Sequence, residues 1–283
     1  MSSAERASPA LPEVTLSEAG GVRYLHLGTP WVQGAMRPRA PLVVELDYVQ
    51  RMLAALLWLD PAVWDRPGAK SGDADARRAV QLGLGAGALT RFTHRALHMA
   101  TTAVELNPQV IEVNHAWFRV PRSAPGLELV QADAGAWVAQ APPRSATLLQ
   151  VDLYDDDAAA PVLDDADFYA GCRRLLADDG VLAVNLFGRD AQFDRSLARL
   201  AAVFGRDHLW ALRATREGNR IVIATRTLAL PPRAVLAGRA ATIEARFGAF
   251  GLPARKWLRM LRPCPPLPAA EPTGADVQRS ATP

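Results

Sequence analysis

Residues 79–90 read AVQLGLGAGALT, an apolar run that ends in three closely spaced glycines. The run 79–82 is typical of a buried strand, and the residues after the glycines have the apolar spacing of a helix. Gly83 permits a tight turn, Gly85 lets the backbone approach a ligand, and Gly87 allows the helix to pack closely. This stretch therefore predicts a strand, a glycine loop and a helix, with a loop backbone that a ligand can approach.

The alternation of strands and helices continues beyond this stretch. Four more apolar runs follow, each separated from the next by a helical segment: 102–106, 127–132, 146–153 and 181–187. Continuous apolar strands that alternate with helices predict a parallel sheet covered on both faces. Two last strands, 208–214 and 220–227, are joined too closely for a crossover and must be antiparallel. The predicted fold is an α/β, methyltransferase-type Rossmann sheet of five parallel strands plus an antiparallel hairpin.

The composition divides the chain into four parts. Residues 1–20 are polar and rich in Pro, Ser and Ala, and we expect them to be disordered. Residues 76–262 form the Rossmann-like domain, and the Pro-rich residues 263–283 are expected to be a disordered tail. Residues 21–75 form a small N-terminal region. Its predicted elements are a β-hairpin of the runs 22–28 and 31–37, and a helix over 45–60.

Length and composition exclude several classes of protein. The 283 residues are 49% hydrophobic, which excludes a wholly disordered chain. The longest apolar stretch, 52–59, is far shorter than the ~20 residues that span a bilayer. The N-terminus lacks the basic and apolar regions of a secretory signal. With only Cys172 and Cys264, neither a disulfide framework nor a zinc cluster is expected. We therefore expect a cytoplasmic protein without a metal and without a membrane partner.

The net charge of +3 does not indicate nucleic-acid binding, although the pI is about 9.2. The basic residues are almost all arginines that are scattered along the chain. A nucleic-acid surface would require a basic stripe with interleaved aromatic residues. We therefore expect no nucleic-acid partner.

Acidic residues stand where three successive strands end. Glu105 ends the second strand, where a carboxylate can accept hydrogen bonds from both ribose hydroxyls. Asp133 ends the third strand, followed by the small Ala134, and can reach an adenine amino group. Asp152 ends the fourth strand, and Asp155 follows three residues later. Ligands of open α/β sheets bind outside the carboxyl ends of the strands, so these acids and the glycine loop predict one shared site.

These motifs resemble the spermidine/spermine synthase family, the polyamine aminopropyltransferases, over residues 22–227. The matching stretches are QLGLGAGALT (81–90), AVELNPQVI (103–111), QADAGAWV (131–138), VDLYDDDAAAP (151–161) and DFYAGCRRLLADDGVLAVNL (167–186). The fourth stretch is similar to the family's Asp-x-x-Asp catalytic loop. Gln33 resembles a glutamine of the family that contacts the ligand.

The resemblance implies the transfer of an aminopropyl group from decarboxylated S-adenosylmethionine to a small-molecule amine, a reaction of polyamine biosynthesis. It implies that Asp152 and Asp155 are catalytic and that Tyr154 lines the amine pocket. The members are usually dimers or tetramers, and a homodimer is expected here. The residues implied to bind the co-substrate are Gln33, Gly83, Gly85, Gly87, Glu105, Asp133 and Ala134.

The chain departs from the family in the part of the site that holds the amine. Ala86 stands where the glycine loop of the family carries an aspartate. Residues 49–52 replace the family's Tyr-His-Glu-Met, and Leu153-Tyr154 replace small hydroxyl residues. Two alternatives therefore stay open. One is an S-adenosylmethionine-dependent methyltransferase, and the other is a catalytically silent member that binds a nucleoside.

Aminopropyl transfer makes a demand on Asp152. The attacking amine must be neutral, but an alkylammonium has a pKa of about 10.4 and a free aspartate of about 3.9. Either burial raises the pKa of Asp152, or this carboxylate mainly orients an amine that enters deprotonated. Asp155 could also raise the pKa of Asp152 through the repulsion of like charges.

Overall fold

The structure is a computed structural model that describes residues 11–65, 77–153, 163, 165–187 and 190–264. Its N-terminal part is an antiparallel sheet of β1 (Val14–Ala19), β2 (Val22–Leu27) and β3 (Gly34–Met36). Gly20 and Gly21 form the turn between β1 and β2 with positive φ angles of 58° and 74°. Two-residue turns of this kind match the right-handed twist of the strands that they join.

Strand β1 shows that the expectation of disorder over residues 1–20 was wrong for its second half. All residues of β1 pair with β2. Val14 and Leu16 are partly buried, whereas Thr15 and Ser17 are exposed, which is the alternation of a strand. The Pro-, Ser- and Ala-rich composition of the whole segment concealed this short alternation. The predicted hairpin is present as β2 and β3, but its second strand is shorter than predicted.

The large sheet has eight strands. In chain order they are β4 (Arg78–Leu82), β5 (Ala100–Glu105), β6 (Leu127–Gln131), β7 (Ala146–Val151), β8 (Leu176–Leu186), β9 (Leu209–Leu212), β10 (Arg220–Thr225) and β11 (Leu261–Pro263). Their order across the sheet is β11-β9-β10-β8-β7-β4-β5-β6. The five strands from β8 to β6 are parallel to one another. Beyond them, β10 pairs antiparallel with β8, β9 with β10, and β11 with β9. The predicted methyltransferase-type Rossmann sheet is confirmed.

Helices cover both faces of this sheet. They are α1 (Asp47–Met52), α2 (Ala62–Asp65), α3 (Ala88–Arg91), α4 (Pro108–Trp117), α5 (Ala134–Gln140), α6 (Ala166–Leu175), α7 (Asp190–Phe204), α8 (Arg233–Phe247) and α9 (Ala254–Met260). On β7, Leu148 belongs to the buried cluster that includes α8 and α9, whereas Leu149 and Val151 belong to the one that includes α5, α6 and α7. No helix within the described ranges is long and apolar enough to cross a membrane. The continuous apolar runs thus lie in a sheet buried on both faces.

The helix predicted over 45–60 consists of two segments. Helix α1 is followed by a 3₁₀ helix, Leu53–Leu57, whose residues are all buried. Arg239 on α8 donates hydrogen bonds to the carbonyl oxygens of Leu57 and Trp58, both at 2.9 Å. The last carbonyl groups of a helix have no partner within it, so these bonds satisfy the buried end.

Strand β11 moves the boundary of the predicted C-terminal tail. Leu261–Pro263 pairs with β9 at the edge of the sheet, so the tail does not start at residue 263. A proline is tolerated here because one side of an edge strand needs no backbone donor. Residues 265–283 lie outside the described part of the chain.

Candidate active site

The glycine loop between β4 and α3 lies in close contact with its neighbours. Gly83, Gly85 and Gly87 all have positive φ, a conformation that glycine adopts without strain. A Cβ at Gly83 would collide with the carbonyl oxygen of Asp152, and a Cβ at Gly87 would lie 2.5 Å from Asn114 Oδ1. A side chain at either position would therefore force its neighbours to shift, and the loop lies directly beside the predicted catalytic acid.

The segment before and within β3 covers the loop from the other side. Gly34 packs against Ala86, and a Cβ at Gly34 would collide with the backbone nitrogen of Ala86. A Cβ at Gly85 would lie 3.0 Å from the carbonyl oxygen of Gln33. The structure thus places Gln33 next to the glycine loop, although the two are far apart in the sequence.

A cleft lies between the loop, β3 and α1. Three polar side chains belong to its lining, those of Gln33, Tyr48 and Asp152. The other lining residues are glycines or apolar: Gly34, Ala35, Leu46, Val49, Gly83, Leu84, Gly85, Ala86, Ala88 and Leu89. Apolar walls with a few polar groups are typical of sites for small molecules.

Arg91 holds the glycine loop from inside the protein. Its side chain is 1% exposed and donates hydrogen bonds to the carbonyl oxygens of Ala86 (2.6 Å), Phe118 (2.8 Å) and Pro41 (2.9 Å). Burial, together with the charge of Arg95, lowers the pKa of Arg91 to about 9, so it stays protonated at neutral pH. This buried cation ties the loop to the segments that precede α1 and follow α4.

Glu105 ends β5, as predicted, and its carboxylate contacts the glycine loop. The backbone N–H of Leu84 donates to Oε2 at 3.0 Å, and that of Asn107 donates to Oε1 at 2.9 Å. Burial raises the pKa of Glu105, and these backbone donors act in the opposite direction. The carboxylate is thus fixed beside Leu84, which lines the cleft.

The predicted adenine-binding pair lies at the start of α5. Asp133 is the N-cap residue of this helix, and its Oδ1 accepts a hydrogen bond from the N–H of Ala136 at 2.8 Å. Ala134 is buried in the cluster beneath the sheet. Neither residue lines the cleft, and Gly87 does not line it either. The structure therefore brings together Gln33, Gly83, Gly85 and Asp152, with Glu105 adjoining them and the remaining predicted positions further out.

Asp152 follows β7 and lines the cleft with a partly buried carboxylate. Asn185 Nδ2 donates to Asp152 Oδ1 at 2.9 Å, and Tyr48 donates a further hydrogen bond. Burial raises the pKa of Asp152 to about 6, while the hydrogen bonds from Asn185 and Tyr48 act to lower it. Asp152 can therefore gain and lose a proton near neutral pH. Of the two alternatives given above for Asp152, the raised pKa corresponds to the first, in which burial raises the pKa of the acid.

The other predicted residues of the amine half are placed as follows. Tyr154 and Asp155 lie outside the described residues. Ala86 is 2% exposed and packs in the small apolar cluster between the two sheets. Arg51 lies in the segment that differs from the family pattern. Its guanidinium forms an ion pair with the carboxylate of Asp47 at 2.6 Å.

Two residues of the site were missed by the sequence analysis. Tyr48 lies on the cleft side of α1, and its local sequence carries no signal for this position. Asn185 is a single amide in the apolar run 181–187, close to the carboxyl end of β8. A lone polar residue at that end of a buried strand is a usable signal, because buried polar groups need partners.

The chain is similar to several known proteins. No protein-family model matches the chain. The polyamine aminopropyltransferase of Chromobacterium violaceum is 34% identical over 241 residues, which cover 84% of this chain and 86% of that protein. The polyamine aminopropyltransferase of Neisseria meningitidis serogroup A is 31% identical over 219 residues, which cover 77% of this chain and 78% of that protein.

A solved structure shows the same fold. It is a probable spermidine synthase from Corynebacterium glutamicum, with a TM-score of 0.66 and 18% sequence identity. The match covers 94% of this chain and 99% of that chain. Together with the identity above 30% over most of two curated relatives, this establishes that the chain belongs to the polyamine aminopropyltransferase family.

Proposed function

We propose that the protein transfers the aminopropyl group of decarboxylated S-adenosylmethionine to a small-molecule amine. The observation that carries this proposal is the position of Asp152. This acid lines the same cleft as the glycine loop, at the carboxyl end of a central parallel strand. Its ionised form attracts a cationic amine to the place where the loop would hold a nucleoside.

Glu105 and the glycine loop support the binding of the nucleoside half. The carboxylate of Glu105 accepts hydrogen bonds from the backbone N–H groups of Leu84, Asn107 and Leu106, and an ionised carboxylate has about four acceptor sites. One acceptor site is therefore left for a ribose hydroxyl. Gly83 and Gly85 leave the backbone open to close approach. In this proposal, Asp133 and Ala134 lie on the adenine side.

The reaction forms a C–N bond and breaks a C–S bond. The lone pair of the amine attacks the carbon beside the sulfonium, and the C–S electron pair leaves with the sulfur of methylthioadenosine. The amine must first give up a proton. A pKa of about 6 for Asp152 brings it to about 4.4 units below an alkylammonium, which is about 6 kcal/mol instead of about 9 for a free aspartate. Asp152 thus serves as the proton acceptor and orients the amine.

The proposal is tested by calorimetry and by turnover with the purified protein. Methylthioadenosine, S-adenosylmethionine and its decarboxylated form are titrated, and product formation is then followed with a panel of diamines and polyamines. Turnover with the decarboxylated form, lost in Asp152→Asn, is the expected result. Asp179→Asn is the matched control, because Asp179 is an exposed acid near the opposite end of β8 and pairs with Arg77.

Other outcomes would overturn the proposal in distinguishable ways. Tight binding of S-adenosylmethionine with methyl transfer would establish the methyltransferase alternative. Binding of methylthioadenosine without turnover of any amine would establish the catalytically silent alternative.

We also propose that the protein works as a homodimer in the cytoplasm, with no nucleic acid or membrane as partner. The resemblance to the family supports the dimer. The arginines support the absence of nucleic acid, since several of them donate to carbonyl groups within the fold, as Arg91, Arg174 and Arg239 do. Light scattering of the purified protein, with a mass of twice 30.5 kDa as the expected result, tests the dimer.

A further inference from the structure

Asn185 is a buried amide in the middle of an apolar sheet. Its neighbours on β8, Val184 and Leu186, are buried in the core, and Asn185 itself is 0% exposed. A buried amide is destabilising unless its donors and acceptor are bonded. Its partners therefore indicate what the residue does.

These partners fix the orientation of the amide. Asn185 Nδ2 donates to Asp152 Oδ1 at 2.9 Å, and Asn185 Oδ1 accepts from Asn219 Nδ2 at 3.2 Å. An amide nitrogen only donates and an amide oxygen only accepts, so the bond from Asn219 disfavours a flipped amide. The donor side of Asn185 thus stays directed at the carboxylate.

Asn219 is held by the turn between β9 and β10. Its backbone N–H donates to Thr215 Oγ1 at 3.1 Å, and the N–H of Thr215 donates to the carbonyl oxygen of Asn219 at 2.8 Å. Both residues are buried. A continuous series of hydrogen bonds therefore links this turn through Asn185 to the acid in the cleft.

We propose that Asn185, backed by Asn219, is a positioning residue that orients the Asp152 carboxylate and stabilises its ionised form for the amine. The inference rests on the proposed function, because it assigns Asp152 the task of meeting that amine. Asn185 itself does not line the cleft and acts through Asp152.

The charge balance around Asp152 supports this role. Burial favours the neutral acid, whereas hydrogen bonds donated by Asn185 and Tyr48 favour the carboxylate. Tyr48 is the titratable group that faces Asp152 from α1, and Gly83 of the glycine loop brings no charge. Removal of the Asn185 donor leaves burial opposed by Tyr48 alone among these described groups.

The test is Asn185→Leu, which keeps the branched shape and the number of side-chain heavy atoms but has no donor. The loss of a hydrogen bond to a charged group should raise the pKa of Asp152 by about 1 to 2 units. It is read from the ¹³C shift of the carboxyl carbon during a pH titration, assigned by comparison with Asp152→Asn. The acid limb of the kcat profile should move upward by the same amount. With a one-unit shift, the ionised fraction at pH 7 falls from about nine-tenths to about half, and activity returns at higher pH.

Two further variants separate positioning from general damage to the fold. Gln150→Met removes another fully buried amide, on the adjacent β7, and should leave the Asp152 titration unchanged. Asn219→Ala frees the Asn185 amide to rotate and should raise the pKa of Asp152 by a smaller amount. It also keeps the inference testable if Asn185→Leu does not fold.

An unchanged Asp152 titration in Asn185→Leu, or an equal shift in Gln150→Met, would overturn the inference. So would a loss of kcat in Asn185→Leu that is equal at every pH. The NMR titration needs no turnover, so an inactive wild-type protein would refute the proposed function while the positioning of Asp152 is still measured.

Discussion

Replacement of Gly83 by alanine should damage catalysis more than it damages folding. Gly83 has a φ of +92°, and a Cβ there would collide with the carbonyl oxygen of Asp152. The left-handed conformation costs a non-glycine residue about 1–3 kcal/mol. Relief of the overlap costs about 1–3 kcal/mol more, because the backbone must shift. The sum of about 2–6 kcal/mol is tolerable for a domain that is stable by about 5–15 kcal/mol.

The part of the backbone that must shift belongs to Asp152, the proposed catalytic acid. A displacement of Asp152 approaching 1 Å should lower kcat by about 100-fold, since positioning errors of that size have such effects. Gly126→Ala is the matched control. Gly126 also has a positive φ, +75°, but the nearest atom to its Cβ would be Ala100 Cα at 3.8 Å. It carries the conformational cost without the collision.

The assay combines urea unfolding with steady-state kinetics at saturating substrates for both variants. Gly126→Ala should lose about 1–3 kcal/mol of stability and keep its kcat. If Gly83→Ala unfolds at the same urea concentration as Gly126→Ala and keeps kcat within about two-fold of it, the loop does not control the position of Asp152. The contact inferred between loop and acid would then have no catalytic consequence.

Three further predictions concern single residues. Glu105→Ala should weaken the binding of methylthioadenosine by about 10- to 100-fold in calorimetry, because a charged hydrogen bond to ribose is lost, and an unchanged Kd would refute the ribose assignment. Asp152 has a folded pKa raised to about 6, so unfolding free energy should fall as pH rises from about 4 to 6 and then level off. Asp152→Asn should remove this slope in urea titrations at several pH values, and a slope that persists would mean that another group titrates. Arg91→Met leaves three carbonyl groups without their donor, two of them in buried residues, and should cost about 3–5 kcal/mol in urea unfolding; a loss below about 1 kcal/mol would contradict the role of Arg91 in holding the loop.

The parallel sheet could be predicted because its strands are continuous apolar runs between helical segments. The ends of the strands could be predicted from the ends of these runs. The positions of Glu105, Asp133 and Asp152 at those ends could therefore be predicted as well. Strand β1 could not be predicted from composition, but the pair Gly20-Gly21 between two alternating segments was a usable hairpin signal. Strand β11 had no signal of its own, because it is a three-residue edge paired only in the folded chain.

The hydrogen-bond partners of Asp152, the proposed catalytic acid, could not be predicted for a different reason. Tyr48 and Asn185 reach Asp152 from α1 and β8, and no local pattern encodes a contact between such distant segments. The direction of the pKa shift could be argued from the chemistry of the reaction. Its cause, burial opposed by two neutral donors, needed the three-dimensional arrangement.

The close contact between Gly34 and Ala86 limits which side chains position 86 can accept. An aspartate at position 86 would place a carboxylate among Leu25, Met36 and Phe118. It would also displace Gly34, which already touches the backbone of Ala86. The residue at position 86 and the packing of the N-terminal sheet are therefore coupled. Laboratory evolution toward an acid at this position would have to begin with β3.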